Sequence, residues 1–298
     1  MIRVLRVIYF SLFLSFGYSQ NHPVQSAIEE MIKSYDATVG VSIYEPKSGD
    51  QISVNGDRHL PMQSVYKLHL ALTVLKDVDA GICSLSDSIQ ITPAHIEQYE
   101  HLWSPLKKKY PNGATITIAE MMEQTVAWSD NMGCDILFEM VGGPAIVEKY
   151  MRDIGITDVA IRYPEIIMQS DWEIQYLNWS TADAITLLLQ KIYTNENKML
   201  SETSYDYLME TLIGTQTGTK SLRGLLPEGT TIAHKTGQAG VDPDGKRGAV
   251  NDVGIIFLPD GSPLYISVLV SDSREKLDDC YHIIAQTARI AWDHYILQ

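Results

Sequence analysis

The strand signals of this chain lie at its two ends, and helical signals fill the space between them. Val39, Val41 and Ile43 alternate with smaller or polar residues, residues 46–50 read as a turn, and Gln51 to Val54 alternates again, which is a β-hairpin pattern. Strand character returns only after residue 229. Thr230 to His234 is one run, and Val253 to Leu258 is a second. After the turn at 259–262, Leu264, Ile266, Val268 and Val270 alternate. A helix over Gln25 to Ser34 precedes the hairpin. Another closes the chain over Glu275 to Leu297, with Ile284, Ala288, Ala291 and Tyr295 at helical spacing. Between the ends, Val65 to Leu75 is apolar nearly all round, which predicts a buried central helix. Further helical patterns cover Ile118 to Ala127, Asp135 to Met140, Pro144 to Met151 and Ala182 to Tyr193. Distant segments that share strand character pair most economically in one sheet. The expected class is therefore α/β (α+β): an antiparallel sheet flanked by helices, built from both chain ends, with an all-helical domain inserted. The expected division is 20–60 with 212–298 for the sheet domain and 61–211 for the helical one, with the active site at their interface.

Residues 1–19 stand apart from this pattern. Arg3 and Arg6 precede a short apolar run from Val7 to Phe16, and Gly17 and Ser19 are small residues suited to cleavage before Gln20. The run is shorter than the roughly 18–20 apolar residues needed to span a bilayer. It reads as a secretory signal with no lipid-accepting Cys after it, and no other run is long and apolar enough to span. The formal net charge is −14, and loss of the two arginines makes the remaining chain more acidic still. Such a balance disfavours non-specific nucleic-acid binding, which needs clustered Lys and Arg, and disfavours anionic membranes. Cys83, Cys134 and Cys280 fit no zinc spacing and, at this size, no disulfide framework is needed, so they read as small buried hydrophobes. The eight histidines include no H-E-x-x-H, so no metal is expected. The Walker-like run 240–246 lacks the following Ser or Thr and carries two aspartates and a proline, which excludes a nucleotide loop. Asn178-Trp179-Ser180 is a glycosylation sequon only in a host that uses it.

Three short motifs carry chemistry together. In Ser64-Val65-Tyr66-Lys67, the i, i+3 spacing puts Ser64 and Lys67 one turn apart on a helix face. A serine hydroxyl needs a nearby base to become a nucleophile, and burial of a lysine favours its neutral form. At the start of a helix, the Ser64 N–H would also point at a reacting oxygen. Ser129-Asp130-Asn131 ends a helical pattern, and Lys235-Thr236-Gly237 follows a strand, where a glycine lets a ligand approach the edge. Each motif alone is a common chance match, but all three in this order and context are not.

With those motifs, the sequence resembles a class A serine β-lactamase over nearly the whole mature chain. Trp103-Ser104-Pro105, Gly142-Gly143-Pro144, Thr217-Gly218, Leu226-Pro227, Asp252 and Gly254 agree with this. Asn178-Trp179 and His234 are most similar to the PER-like extended-spectrum subgroup and the Bacteroidota cephalosporinases. The resemblance implies a serine β-lactamase/D,D-peptidase-like fold and hydrolysis of penicillins and cephalosporins through an acyl-enzyme on Ser64. It implies no cofactor, a small-molecule β-lactam as the partner, a monomer, and a soluble exported protein of the periplasm. Lys67, Glu165 or both would serve as the acylation base. Ser129 would pass a proton to the leaving nitrogen, and Asn131 would orient Lys67 and the substrate amide. Lys235 and Thr236 would bind the substrate carboxylate. The N–H groups of Ser64 and Gln238 would form the oxyanion hole, with Gly237 and Trp103 at the substrate.

The deacylating carboxylate is expected at Glu165, in Arg162-Tyr163-Pro164-Glu165-Ile166, with Glu173 as the rival because Glu173 to Asn178 imitates the family's Glu-to-Asn spacing. The Glu165 register puts Gln169 where an Asn usually holds the water. Ser221 stands where related enzymes often carry an arginine, and Lys220 or Arg247 is left to supply that charge. Gln63, in place of a Cys before the nucleophile, argues against carbapenemase activity. The rival functions are a penicillin-binding D,D-peptidase and a non-hydrolytic β-lactam sensor.

Overall fold

The computed structural model describes residues 22–297, so the predicted signal over 1–19 lies outside the described residues. The hairpin forms as β1 (Thr38–Glu45) and β2 (Asp50–Val54), with Ile43 opposite Ile52 and Val41 opposite Val54. The late strands are β3 (Ile232–Gln238), β4 (Arg247–Phe257) and β5 (Pro263–Ser273). All five join one antiparallel sheet in the order β2-β1-β5-β4-β3, so the first and last strand-bearing segments of the chain meet at β1–β5. That junction buries Val39, Val41, Ile43, Ile266, Val268 and Val270 on a common face.

Two helices cover that face. They are α1 (Pro23–Ile32), started by a proline in its first turn, and the terminal helix, labelled α8 below (Leu277–Tyr295). Val24 and Ile28 from α1 pack with Ile283, Ile284, Ala288 and Trp292 from that terminal helix. The helical middle covers the other face. Its members are α2 (Tyr66–Asp79), α3 (Ile118–Ala127), α4 (Asn131–Val141), α5 (Pro144–Asp153), α6 (Ala182–Tyr193) and α7 (Glu202–Ile213). With them the C-terminal element is α8. Thr117, Asp130, Thr181 and Ser201 cap α3, α4, α6 and α7 with side-chain oxygens, which supplies partners for otherwise unpaired N–H groups. The sheet contributes Ala233, Val253, Ile255, Tyr265 and Leu269 to the same core as α2. Period-two alternation therefore divides each central strand between two cores.

Every side chain from Tyr66 to Leu75 is buried, as the unbroken apolar pattern of this segment requires. One local feature differs from the sequence expectation. Ser64 is not in the first turn of the α-helix but in a 3-10 turn over Gln63–Val65 that leads into it. The reason is Gln63, whose φ of +47° bends the chain immediately before the serine. Cys134 and Cys280 are buried and unpaired as expected, whereas Cys83 is only half-buried. Asn178 is fully buried, which removes the sequon as an acceptor. Among the described residues no helix is long and apolar enough to cross a membrane.

The all-round burial of α2 gives a direct expectation. Leu70→Ala or Leu72→Ala leaves a cavity that neighbouring helices cannot refill. Each should cost about 2–5 kcal/mol, read from the midpoint of chemical unfolding, and a loss under about 1 kcal/mol would contradict the packing described.

Candidate active site

Ser64 lies where the 3-10 turn before α2 meets the end of β3. Gly237 makes that approach possible, since a Cβ there would sit 2.4 Å from the Met62 carbonyl and 3.2 Å from the Ser64 nitrogen. The cleft at this junction has a volume of about 490 Å³. Its walls include Ser64, Trp103, Ser129, Asn131, Gln169, Thr236, Gly237 and Gln238, which the sequence singled out. Lys67, Glu165 and Lys235 are fully buried beneath this surface and act on it from below.

The central contact is a single carboxylate oxygen. Ser64 Oγ donates to Glu165 Oε1 at 3.3 Å, and Lys67 Nζ pairs with the same atom at 3.0 Å. Lys67 Nζ also donates to Asn131 Oδ1 at 2.6 Å and to the Ser129 carbonyl at 3.0 Å. Its three N–H donors thus face three acceptors, which is what a buried ammonium requires. On the other carboxylate oxygen, Gln169 Nε2 donates to Glu165 Oε2 at 3.2 Å. Gln169 also donates to Gln63 Oε1 at 3.2 Å, and Gln63 Nε2 donates to Gln175 Oε1 at 2.9 Å. The carboxamide chain from Gln175 to Glu165 anchors the glutamate on its cleft side.

The backbone around Glu165 is fixed by Asp135. Its carboxylate accepts the Glu165 N–H at 2.6 Å, the Ile166 N–H at 2.8 Å and the Tyr99 hydroxyl at 2.9 Å. Burial, and next the charge of Glu165, push the Asp135 carboxyl up to about 7, while the three donors pull the other way. The far end of the loop is tied by Asn178. Its Oδ1 accepts from the Arg162 and Tyr163 N–H groups at 2.8 and 3.0 Å, and its Nδ2 donates to the Tyr163 carbonyl at 2.7 Å. Glu173 is exposed in a neighbouring 3-10 turn and does not line the cleft. Asn178 therefore holds the loop that carries Glu165, and the spacing from Glu173 to Asn178 is coincidental.

Ser129 has a positive φ of +59°, so the chain turns sharply between α3 and α4. The turn is held by Asp130, which accepts from Ser104 Oγ, the Leu106 N–H and the Gly133 N–H, each at 2.7 Å. This points Ser129 Oγ at Lys235 Nζ, 3.0 Å away, while Asn131 faces Lys67. Burial, and next the charge of Lys67, push Lys235 down to about 7, against the pull of Asp252 and Glu165. Thr236 Oγ1 lies 2.6 Å from Thr217 Oγ1. Ala239 N–H bonds the Ala249 carbonyl at 2.8 Å. By antiparallel alternation, Gly237 turns its N–H toward β4 and Gln238 turns its N–H out from the edge. Gln238 and Ser64 both line the cleft.

Neither candidate for a replacement arginine lines the cleft. Lys220 is exposed and paired with Asp278 at 2.8 Å, and Arg247 donates to the Ala239 carbonyl at 3.1 Å. The structure also adds residues the sequence did not signal. Tyr281 of α8 lines the cleft and donates to Gln238 Oε1 at 2.5 Å. Nothing in a lone tyrosine on an amphipathic helix marks that contact. Asp135 carried a weak signal, as an acid inside an apolar helical segment.

Asp135→Ala leaves the buried Glu165 N–H and the half-buried Ile166 N–H without partners and should cost about 2–4 kcal/mol in chemical unfolding. The raised acid also has a signed pH effect. Its ionised form is disfavoured in the fold, so this group lowers stability as pH rises from its unfolded value near ~3.9 through about 7. Asp135→Asn should remove that slope. An unchanged difference between wild type and variant across this range would contradict it.

The comparisons agree with the geometry. A family model described as the beta-lactamase enzyme family matches residues 23–295. Beta-lactamase VEB-1 of Pseudomonas aeruginosa is 40% identical over 296 residues, covering 99% of this chain and 98% of that protein. Extended-spectrum beta-lactamase PER-1 of the same organism is 39% identical over 282 residues, covering 94% and 90%. A solved structure of a representative of class A beta-lactamase from Bacteroides cellulosilyticus DSM 14838 superposes with a TM-score of 0.87 at 32% identity, covering 92% of this chain and 98% of that one. On the matched family model, the close relatives and the shared fold, the chain belongs to the beta-lactamase enzyme family, in its class A branch.

Proposed function

We propose that this protein hydrolyses the amide of penicillins and cephalosporins in two steps through Ser64. The observation that carries the reading is the oxygen Glu165 Oε1, shared by Ser64 Oγ and Lys67 Nζ. A base in contact with both a nucleophile and an ammonium can take the serine proton directly, or first take a proton from Lys67 so that the neutral amine takes it. In the first step Ser64 Oγ attacks the lactam carbonyl carbon and its proton passes to this base pair. Charge on the carbonyl oxygen is met by the N–H groups of Ser64 and Gln238, a contribution of about 10²–10³ in rate per donor. The C–N bond breaks as Ser129 gives its proton to the ring nitrogen and is resupplied through Lys235, 3.0 Å away. The proton left on the Lys67–Glu165 pair then passes through solvent to Lys235, so that Glu165 is ionised again for the second step. In the second step Glu165 takes a proton from water, the hydroxide adds to the ester carbonyl, and Ser64 leaves with a proton. Gln169 orients Glu165 and that water through its contact with Oε2.

Lys235 and Thr236 receive the substrate carboxylate, with Asn131 at the amide and Trp103 at the rim. Trp103 is 53% exposed and is held by its indole N–H to the Trp128 carbonyl, which suits it to stack on a substrate side chain. The likeness to extended-spectrum beta-lactamase PER-1 supports cephalosporins among the substrates. Export to the periplasm with cleavage between Ser19 and Gln20, a monomeric state, and a division of the fold at residues 20–60 with 212–298 against 61–211 complete the reading. Size-exclusion with light scattering and the intact mass of the exported protein check the first two.

The decisive experiment is nitrocefin turnover with intact-protein mass spectrometry. Wild type should turn over many equivalents, and Ser64→Ala should lose all covalent adduct and turnover. Glu165→Ala should accumulate the acyl-enzyme and slow turnover by at least ~10²-fold. One stoichiometric burst from wild type would instead support a D,D-peptidase or a sensor, and wild-type turnover by Glu165→Ala would remove Glu165 from deacylation.

A further inference from the structure

The hydroxyls at the carboxylate end of the cleft are supported from behind by a buried pair that the mechanism leaves unused. Strand alternation puts Lys235 on the face toward α2 and its neighbour His234 on the opposite face. Directly across from His234 stands Gly254, where a Cβ would lie 2.6 Å from the His234 Cβ. The vacant side-chain position lets the imidazole reach the diagonal residue, Asp252. Nδ1–H donates to Asp252 Oδ1 at 2.9 Å, and both side chains are fully buried.

The strand backbone at His234 and the carboxylate of Asp252 both anchor the loop after α7. Thr215 Oγ1 donates to the His234 carbonyl at 2.7 Å, and the Leu222 N–H donates to Asp252 Oδ2 at 3.2 Å. Between these anchors lie Thr217, Gly218 and Ser221, which line the cleft. Gly218, with a φ of +75°, rests on the pair. A Cβ there would meet Thr236 Cγ2 at 2.5 Å, Asp252 Oδ2 at 3.2 Å and His234 Cε1 at 3.3 Å. The height of the loop above the pair therefore sets the 2.6 Å contact between Thr217 and Thr236.

We propose that His234 and Asp252 are positioning residues for recognition of the substrate carboxylate, holding Thr217 and Thr236 in register from the reverse face of β3. The proposal rests on the β-lactam reading of the cleft and explains how recognition proceeds with Ser221 where an arginine is common. The groups that act on Lys235 are Lys67, Glu165, Asp252 and Cys134, together with the hydrogen-bonded Ser129 and Thr236. Of these, Asp252 is the carboxylate on the side away from the catalytic pair.

The test is kcat and KM for nitrocefin, an anionic cephalosporin, across neutral to alkaline pH for wild type, His234→Ala, His234→Asn and Asp252→Asn. His234→Ala should raise KM roughly tenfold, with kcat within about threefold. His234→Asn keeps a donor near the Nδ1 position and should recover most of that loss. Asp252→Asn should move the alkaline limb of kcat/KM down by about one pH unit. Wild-type KM and pH profile in His234→Ala and Asp252→Asn would overturn the proposal. So would a parallel loss of kcat and thermal stability that His234→Asn does not rescue. If wild type acylates at Ser64 without turnover, the hydrolase reading fails alone, and the second-order acylation rate carries the same comparison. If wild type does not acylate, both fail.

Discussion

The buried contact between Lys67 and Glu165 is the constraint around which the remainder of the site is organised. Two charges removed from water carry a penalty of several kcal/mol each, and mutual attraction repays it only when the remaining donors and acceptors are also satisfied. Here each requirement is met by a different element. Asn131 and the Ser129 carbonyl complete the lysine, Gln169 takes the second carboxylate oxygen, and Asp135 fixes the backbone that delivers Glu165. The pair therefore couples α2, α4 and the loop around residue 165. Displacing any of the three leaves a buried charge short of a partner.

The second organising feature is the sheet as a partition. One strand, β3, presents Lys235 to the reactive side and His234 to the other, and it ends in Gly237 where the backbone must pass close to Ser64. This arrangement concentrates charge without exposing it. Burial, and next the charge of Lys67, lower Lys235 toward neutrality, and an arriving anion is placed to reverse that.

Much of the architecture was legible because it depends on local periodicity. Alternation at Val39–Ile43 and Leu264–Val270 identified the two strands that join the chain ends, and the unbroken apolar run after Val65 identified the central helix. The Ser64, Ser129 and Lys235 motifs were legible for a similar reason, since each is a few contiguous residues in a recognisable context. Less was legible where contacts skip along the chain. The 3-10 turn at Ser64 follows from strain at Gln63, which residue identity alone does not announce. The glutamine chain from Gln63 to Gln175 crosses more than a hundred residues of sequence, and Tyr281 reaches Gln238 from the last helix.

By itself, then, the sequence determined the α/β class, the central buried helix and the residue types available for acyl transfer, because these are set by spacing and side-chain chemistry. The sequence favoured Glu165 over its rival Glu173, and tertiary structure decided that Glu165 is the carboxylate that meets the serine. Glu165 and Glu173 are equivalent as side chains, and only packing buries one against Lys67 while leaving the other in solvent. It also decided that neither Lys220 nor Arg247 reaches the cleft and that His234 backs the strand from behind. The physical reason is the same in each case. Desolvation and Coulomb interaction depend on distance and burial through space, and neither is a property of position along the chain.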